Sequence, residues 1–210
     1  MSLALLLTFI QFQIVMAFTP GPNNMMVAAS AVNFGFKKTI PHMLGIAFGF
    51  SFMFFAAGLG FGKIFETFPI LYEILKIIGF IYLLYLAWKI AQFKADVESE
   101  IKTDEAASQP FSFLQALMFQ WANPKAWTVL MISITTYTSL SLSTPLWLQV
   151  TILSFISFIV TLPAVCTWTF FGSAISPLLQ NTKLRKIFNI TMALLIVMSV
   201  VMANYFAGDF

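Results

Sequence analysis

Charge is scarce in this chain. Eight acidic and eleven basic side chains make up 9% of 210 residues, against about 25% in soluble domains. So few charges cannot build a water-facing surface. The chain therefore reads as an integral membrane protein made of spanning helices, with a lipid bilayer as its surroundings. Histidine and cysteine are scarcer still, with one of each, His42 and Cys166. A single cysteine excludes an internal disulfide, and Cys166, mid-segment among apolar residues, reads as a small core residue. One imidazole and one thiol give no basis for a transition-metal site, and no cofactor is implied. The net charge of +3 has no basic stripe behind it, which argues against a nucleic-acid partner. The first apolar run lacks a basic leading segment and a clear cleavage site, so no removable signal peptide is expected.

Hydrophobicity fills the space that charge leaves: 60% of residues and a mean hydropathy of +0.89. The apolar runs are long and unbroken, unlike the ~10-residue alternating segments of a membrane β-barrel. A spanning helix needs roughly 20 apolar residues. Six candidates meet that need, near 3–36, 41–61, 69–93, 111–138, 146–171 and 184–206. The expected fold class is an all-α integral membrane protein with six transmembrane helices, the first and fourth broken. One long hydrophilic stretch, 94–110, divides the six spans and carries Asp96, Glu98, Glu100, Lys102, Asp104 and Glu105. The expected organisation is a three-helix repeat over 1–94, a hydrophilic cytoplasmic connection over 95–110 and a second three-helix repeat over 111–210.

Basic residues set orientation. The first, third and fifth connections hold Lys37, Lys38, Lys89, Lys94, Lys102, Lys183, Arg185 and Lys186, while the second and fourth hold only Lys63 and Lys76. This bias places the odd connections in the cytoplasm and both termini on the periplasmic or extracellular side. Gly45 and Gly49 stand at GxxxG spacing, followed by Gly58, Gly60 and Gly62. Such small residues pack helices closely, either within one chain or between two copies of a homodimer. The 25 phenylalanines read as lipid-facing or core residues.

The first span is too long and carries its own breaker. Met1–Phe36 has no charged side chain and contains AFTPGPNN at 17–24. An uninterrupted helix of that length is about 54 Å long, against a hydrocarbon core of about 30 Å. Pro20 biases Thr19 out of helical geometry and Pro22 does the same to Gly21. The helix is expected to unwind near Thr19–Pro22 and to restart there, with Gly21 or Asn23 as the cap. The fourth span repeats the design in FQWANPKAW, 119–127. Asn123 suits a helix cap, and Pro124 the first helical position.

Lys125 then falls in the first turn of a half-helix near mid-bilayer. A cation there faces the positive end of the helix dipole. Its burial costs about 2.5 kcal/mol or more on insertion scales. An anion bound at the same point offsets both costs. Backbone N–H groups, the dipole and Lys125 would converge on a carboxylate. Unwound carbonyls near Phe18–Thr19 and Trp121–Ala122 would accept from an ammonium. Together these features describe a zwitterion site formed by Thr19, Pro20, Gly21, Pro22, Asn23, Asn123, Pro124 and Lys125. The order of features also repeats with an offset of roughly 100–110 residues, read from Pro22 and Pro124 and from Lys76 and Lys186. Three spans per repeat make the halves inverted, and paired interrupted segments in inverted halves point to a transporter's central site.

At these residues the sequence resembles the LysE/RhtB family of bacterial amino-acid exporters. The resemblance rests on TPGPN at 19–23, NPKAW at 123–127 and LKIIGFIYLLYLAWK at 75–89, with the hydrophilic connection between the third and fourth spans. TPGPNN and LAWKIA look most like the cysteine/O-acetylserine exporter branch. The resemblance implies an inner-membrane exporter of small amino acids, of cysteine/O-acetylserine, threonine/homoserine or leucine type, driven by proton antiport. It leaves the coupling group open. Glu73, near the start of the third span, is the carboxylate candidate, although a structural or interfacial role suits it as well. His42, beside Pro41 and near Lys37 and Lys38, is expected at the cytoplasmic mouth, where it titrates near neutral pH or marks the interface.

Two other readings compete, a passive channel for small neutral solutes and a metal-cation exporter. A buried lysine counts against the channel, and scarce histidine, cysteine and intramembrane carboxylates count against the metal. No Gly-x-Ser-x-Gly or His-Glu-x-x-His motif is present, so an enzyme is not expected.

Overall fold

The computed structural model describes residues 1–61, 67–93 and 109–207. The expectations for Gly62, Lys63, Glu66, the hydrophilic residues 94–108 and the terminal Phe210 lie outside the described residues, as does the Lys76 side chain. Every regular element among the described residues is helical.

Helix α1, Leu3–Phe18, opens on Ser2, whose side chain accepts from Leu5 N. It ends where Pro20 forces Thr19 into extended geometry, φ −64° and ψ 146°. Helix α2, Pro22–Phe34, restarts with proline in its first turn and Gly21 as its cap. Together α1 and α2 form one apolar segment bent by 50°. Gly35, at φ 84°, turns the chain into α3, Phe36–Ala56, a conformation glycine adopts freely. A π-helical turn, Ala57–Phe61, extends α3 to Gly60, whose φ of 122° ends it.

Helix α4 covers Pro69–Ala91. The fourth expected span is again two helices, α5, Phe113–Ala122, and α6, Pro124–Tyr137. A capping box between Ser112 and Gln115 starts α5. Between α5 and α6, Asn123 is extended at φ −89° and ψ 110°. Helix α7, Leu146–Ile175, runs into a 3₁₀ turn, Ser176–Leu179, and α8, Thr182–Ala207, closes the chain. A broken pair followed by two helices therefore occurs twice. Phe36–Gly60 and Leu146–Leu179 are each long and apolar enough to cross a membrane, and the bent α1–α2 pair makes a third.

Helix α7 is the hub, packing on α1, α2 and α3, while α3 also packs on α5, and α4 on α8. Glycine permits the closest of these contacts. A Cβ on Gly45 would overlap the Phe113 carbonyl, and one on Gly49 would come within 2.8 Å of the Leu117 backbone. The GxxxG face thus serves packing inside the chain, α3 against α5. Gly172 meets the Ala28 carbonyl and Gly79 the Ala122 carbonyl in the same way.

The end of α2, with Lys37 and Lys38 just beyond it, meets the first turns of α8, with Lys183, Arg185 and Lys186. There Asn33 and Asn189 exchange amide hydrogen bonds at 3.2 and 3.3 Å, Ser176 Oγ donates to Val32 O, and the Phe34 and Phe93 rings lie 5.1 Å apart. At the other end the Met1 ammonium donates to Thr144 Oγ1 at 2.6 Å. Around the bundle, Ile70, Ile74, Ile77 and Ile81 of α4 and Phe155 and Phe170 of α7 are exposed, as a lipid-facing surface requires.

Candidate functional site

The two breaks meet. Lys125, in the first turn of α6, reaches across to the gap between α1 and α2. Its Nζ donates to Thr19 O and to Thr19 Oγ1, both at 2.9 Å, and lies 3.4 Å from Pro20 O. The Thr19 hydroxyl donates in turn to Met16 O at 2.9 Å. Gly21 makes room for this crossing, because a Cβ there would stand 2.7 Å from Lys125 Cδ. Its own φ of −176° is ordinary extended backbone, so space is what the position demands.

Other side chains hold the gap open. Asn24 Nδ2 donates to Ala17 O and Thr19 O, both at 2.8 Å, and ties down the end of α1. Trp168 Nε1 donates to Phe18 O at 3.2 Å, and Trp127 Nε1 to Trp121 O at 2.8 Å. Of the freed carbonyls that sequence reasoning assigns to a ligand's ammonium, those of Phe18, Thr19 and Trp121 are thus taken by Lys125, Asn24 and two tryptophans. Buried carbonyls need partners, and the protein supplies them.

The two helix starts differ. At α6, Asn123 Oδ1 accepts from Lys125 N at 3.1 Å, and Asn123 O accepts from Ala126 N and Trp127 N. Those amides are occupied. At α2, no side chain caps the helix, and the first-turn amides of Asn23 and Asn24 point out of the helix start. The uncapped helix start at this site is therefore that of α2, whereas the sequence argument put the anion at the start of α6.

A cavity of about 60 Å³ opens here, lined by Gln13, Met16 and Ala17 of α1, by Gly21, and by Asn23 and Asn24 of α2. Ile46 and Phe50 of α3, Asn123, Lys125, Ala126 and Val129, and Thr161 and Val165 of α7 complete it. One water needs about 10–15 Å³ by this measure, so the space suits a ligand of a few heavy atoms. Asn23 on its wall belongs to a reciprocal amide pair. Asn23 Nδ2 donates to Gln120 Oε1 at 2.8 Å, and Gln120 Nε2 donates to Asn23 Oδ1 at 3.3 Å. Gln13 is buried and donates to Ser133 Oγ at 3.2 Å, which leaves its carbonyl oxygen as an acceptor on the wall.

The family model described as LysE type translocator matches residues 14–205. The chain belongs to this family. It is therefore a membrane translocator rather than an enzyme. The cysteine/O-acetylserine efflux protein of Escherichia coli (strain K12) is 32% identical to it over 126 residues, 60% of this chain and 61% of the relative. The protein of that name from Shigella sonnei (strain Ss046) matches to the same extent. The match thus spans less than two thirds of these relatives' length. No solved structure matches the chain.

Within this LysE-type chain, Gly21, Asn23, Asn123 and Lys125 line one cavity. Thr19 and Pro20 reach it through Lys125, and Pro22 and Pro124 begin the helices around it. Glu73 and His42 are elsewhere. Glu73 is exposed on α4. His42, expected near a cytoplasmic mouth, is 2% exposed, its ring 5.1 Å from that of Phe111. Sequence reasoning passed over Gln13, Asn24, Gln120 and Thr161. A polar side chain inside an apolar span was the available signal for each.

Proposed function

We propose that this translocator exports small amino acids, of the cysteine and O-acetylserine class, from the bacterial cytoplasm across the inner membrane in exchange for protons. Six spans carry the transport, arranged as inverted repeats over 1–94 and 111–210 with both termini outside. The observation that supports this most is the Lys125 ammonium held across the two broken spans, beside the open start of α2 and a cavity of amino-acid size.

The mechanism follows from the partners. Thr19 O, Thr19 Oγ1 and Pro20 O satisfy Lys125. A substrate carboxylate replaces them, held by Lys125 and the amides of Asn23 and Asn24. The carbonyls that Lys125 releases, with the Gln13 oxygen, then face the substrate's ammonium. Binding therefore loosens the bond between the two broken spans, which is the change alternating access requires. The names of the efflux relatives agree with this class of substrate.

Counterflow tests the reading. Proteoliposomes loaded with unlabelled O-acetylserine or cysteine are expected to take up the labelled compound saturably, and faster with a pH gradient. An absence of exchange with any amino acid would remove the exporter reading and bring back a channel, which shows no counterflow. For orientation, a phosphatase that folds only outside the cytoplasm, fused after Phe210, should be active. Activity from a cytoplasm-dependent reporter at that position instead would refute the topology.

A further inference from the structure

A second cavity lies at the other end of α2, at the basic end of the bundle. We propose that it is a cytoplasmic loading station for the same small zwitterion, occupied before the substrate reaches the break. This rests on the exporter reading above. Two helical stripes form its long walls. Met26, Ala29, Ser30 and Asn33 recur along one face of α2, and Leu86, Lys89 and Ile90 along one face of α4, with Phe93 just beyond its end. Its volume is about 70 Å³, against about 60 Å³ for the central cavity, so both admit ligands of one size.

His42 gives the cavity its chemistry. It lines the space from α3, its ring 5.1 Å from that of Phe111. It is fully buried, and neither ring nitrogen has a hydrogen-bond partner. Buried polar groups are nearly always paired, so this one requires an explanation. A neutral imidazole offers one donor and one acceptor on different sides of its ring. One of them, turned toward the space, can pair with one end of an amino acid.

The neighbours sort the ligand's two ends. Lys89 lines the same space. On α3, Thr39 Oγ1 donates its proton to Gly35 O at 2.9 Å. Ser30 must therefore be the donor in its 3.0 Å contact with Thr39. Its lone pairs remain for an ammonium. Asn33 keeps one carbonyl lone pair free of its exchange with Asn189. Helix α2 thus has a polar site at each end, and a substrate moving along it exchanges one set of partners for the other.

Thiol protection tests the station. Cys166 is the only native cysteine, so Cys166→Ala with Ala29→Cys puts one thiol on the cavity wall. In inside-out vesicles, an impermeant maleimide is expected to label it from the cytoplasmic face. O-acetylserine at about ten times its half-saturating concentration should slow labelling about tenfold, since only ligand-free protein reacts. Protection should persist when Lys125→Ala is added, disappear with His42→Leu and survive His42→Gln. Met26→Cys reports from the same wall if the first reporter does not insert. A thiol that is unreachable, or reachable and unprotected, or still protected with His42→Leu, overturns the station. Wild-type counterflow then separates the two readings: if it persists, only the station falls, and if it is absent, the exporter reading falls too.

Discussion

Replacing Lys125 with alanine is expected to abolish amino-acid exchange and to leave the protein inserted and folded. Nothing in the packing depends on this ammonium. Its partners are carbonyls and a hydroxyl at the edge of an open cavity, where water replaces it. Its half-buried charge is itself a cost to the fold. Binding, by contrast, loses a charge-assisted hydrogen bond, about 1.5–3 kcal/mol, or roughly tenfold to a hundredfold in affinity. The turnover defect is larger, because the step that uncouples the two breaks has lost its trigger. Equal amounts of wild type and Lys125→Ala in proteoliposomes, matched by elution profile in detergent, give the comparison. Exchange by the variant within threefold of wild type would be incompatible with this role.

Gly21→Val is expected to be nearly as damaging, for a different reason. The extended backbone at Gly21 tolerates any residue. The obstacle is the Lys125 side chain, 2.7 Å from where a Cβ would stand. Valine pushes that side chain off Thr19 and Pro20 and fills part of the cavity, so exchange falls by at least about tenfold, the consequence of losing even 1.4 kcal/mol of binding. The two substitutions share one interaction, so combining them adds little to either alone. Additive losses measured for the double variant would mean that Gly21 and Lys125 act separately.

Much of this arrangement is legible in the sequence because proline acts locally. Pro20 and Pro22 break the first span and Pro124 starts a helix at Asn123, whatever surrounds them. GxxxG spacing likewise marks Gly45 and Gly49 as a packing face, although only the fold names α5 as the partner. The partners of the freed carbonyls are not legible. Asn24 and Gln13 lie in segments that are apolar or small on every side, so periodicity gives no direction to their side chains. The same limit hid the difference between the two helix starts. Asn123 caps its own helix through its side chain, whereas the asparagines of α2 turn to Ala17 and Gln120 and leave their amides open. The burial of His42 is not legible for a related reason. Lys37 and Lys38 suggest an interface, but one helical turn carries the imidazole inward to Phe111.

The account's central claim is that Lys125 and the start of α2 hold the substrate's carboxylate. Competition by an analogue that lacks it is the most direct test. Labelled O-acetylserine counterflow is measured against unlabelled O-acetylserine and against O-acetylethanolamine, the same molecule without its carboxylate, in wild type and in Gln13→Leu. The account predicts that the amine fails to compete in wild type at concentrations where the amino acid blocks exchange completely. Gln13→Leu, which alters the ammonium side, should weaken the amino acid without changing that preference. Equal inhibition by the two compounds in wild type would contradict the claim and remove the carboxylate from the site.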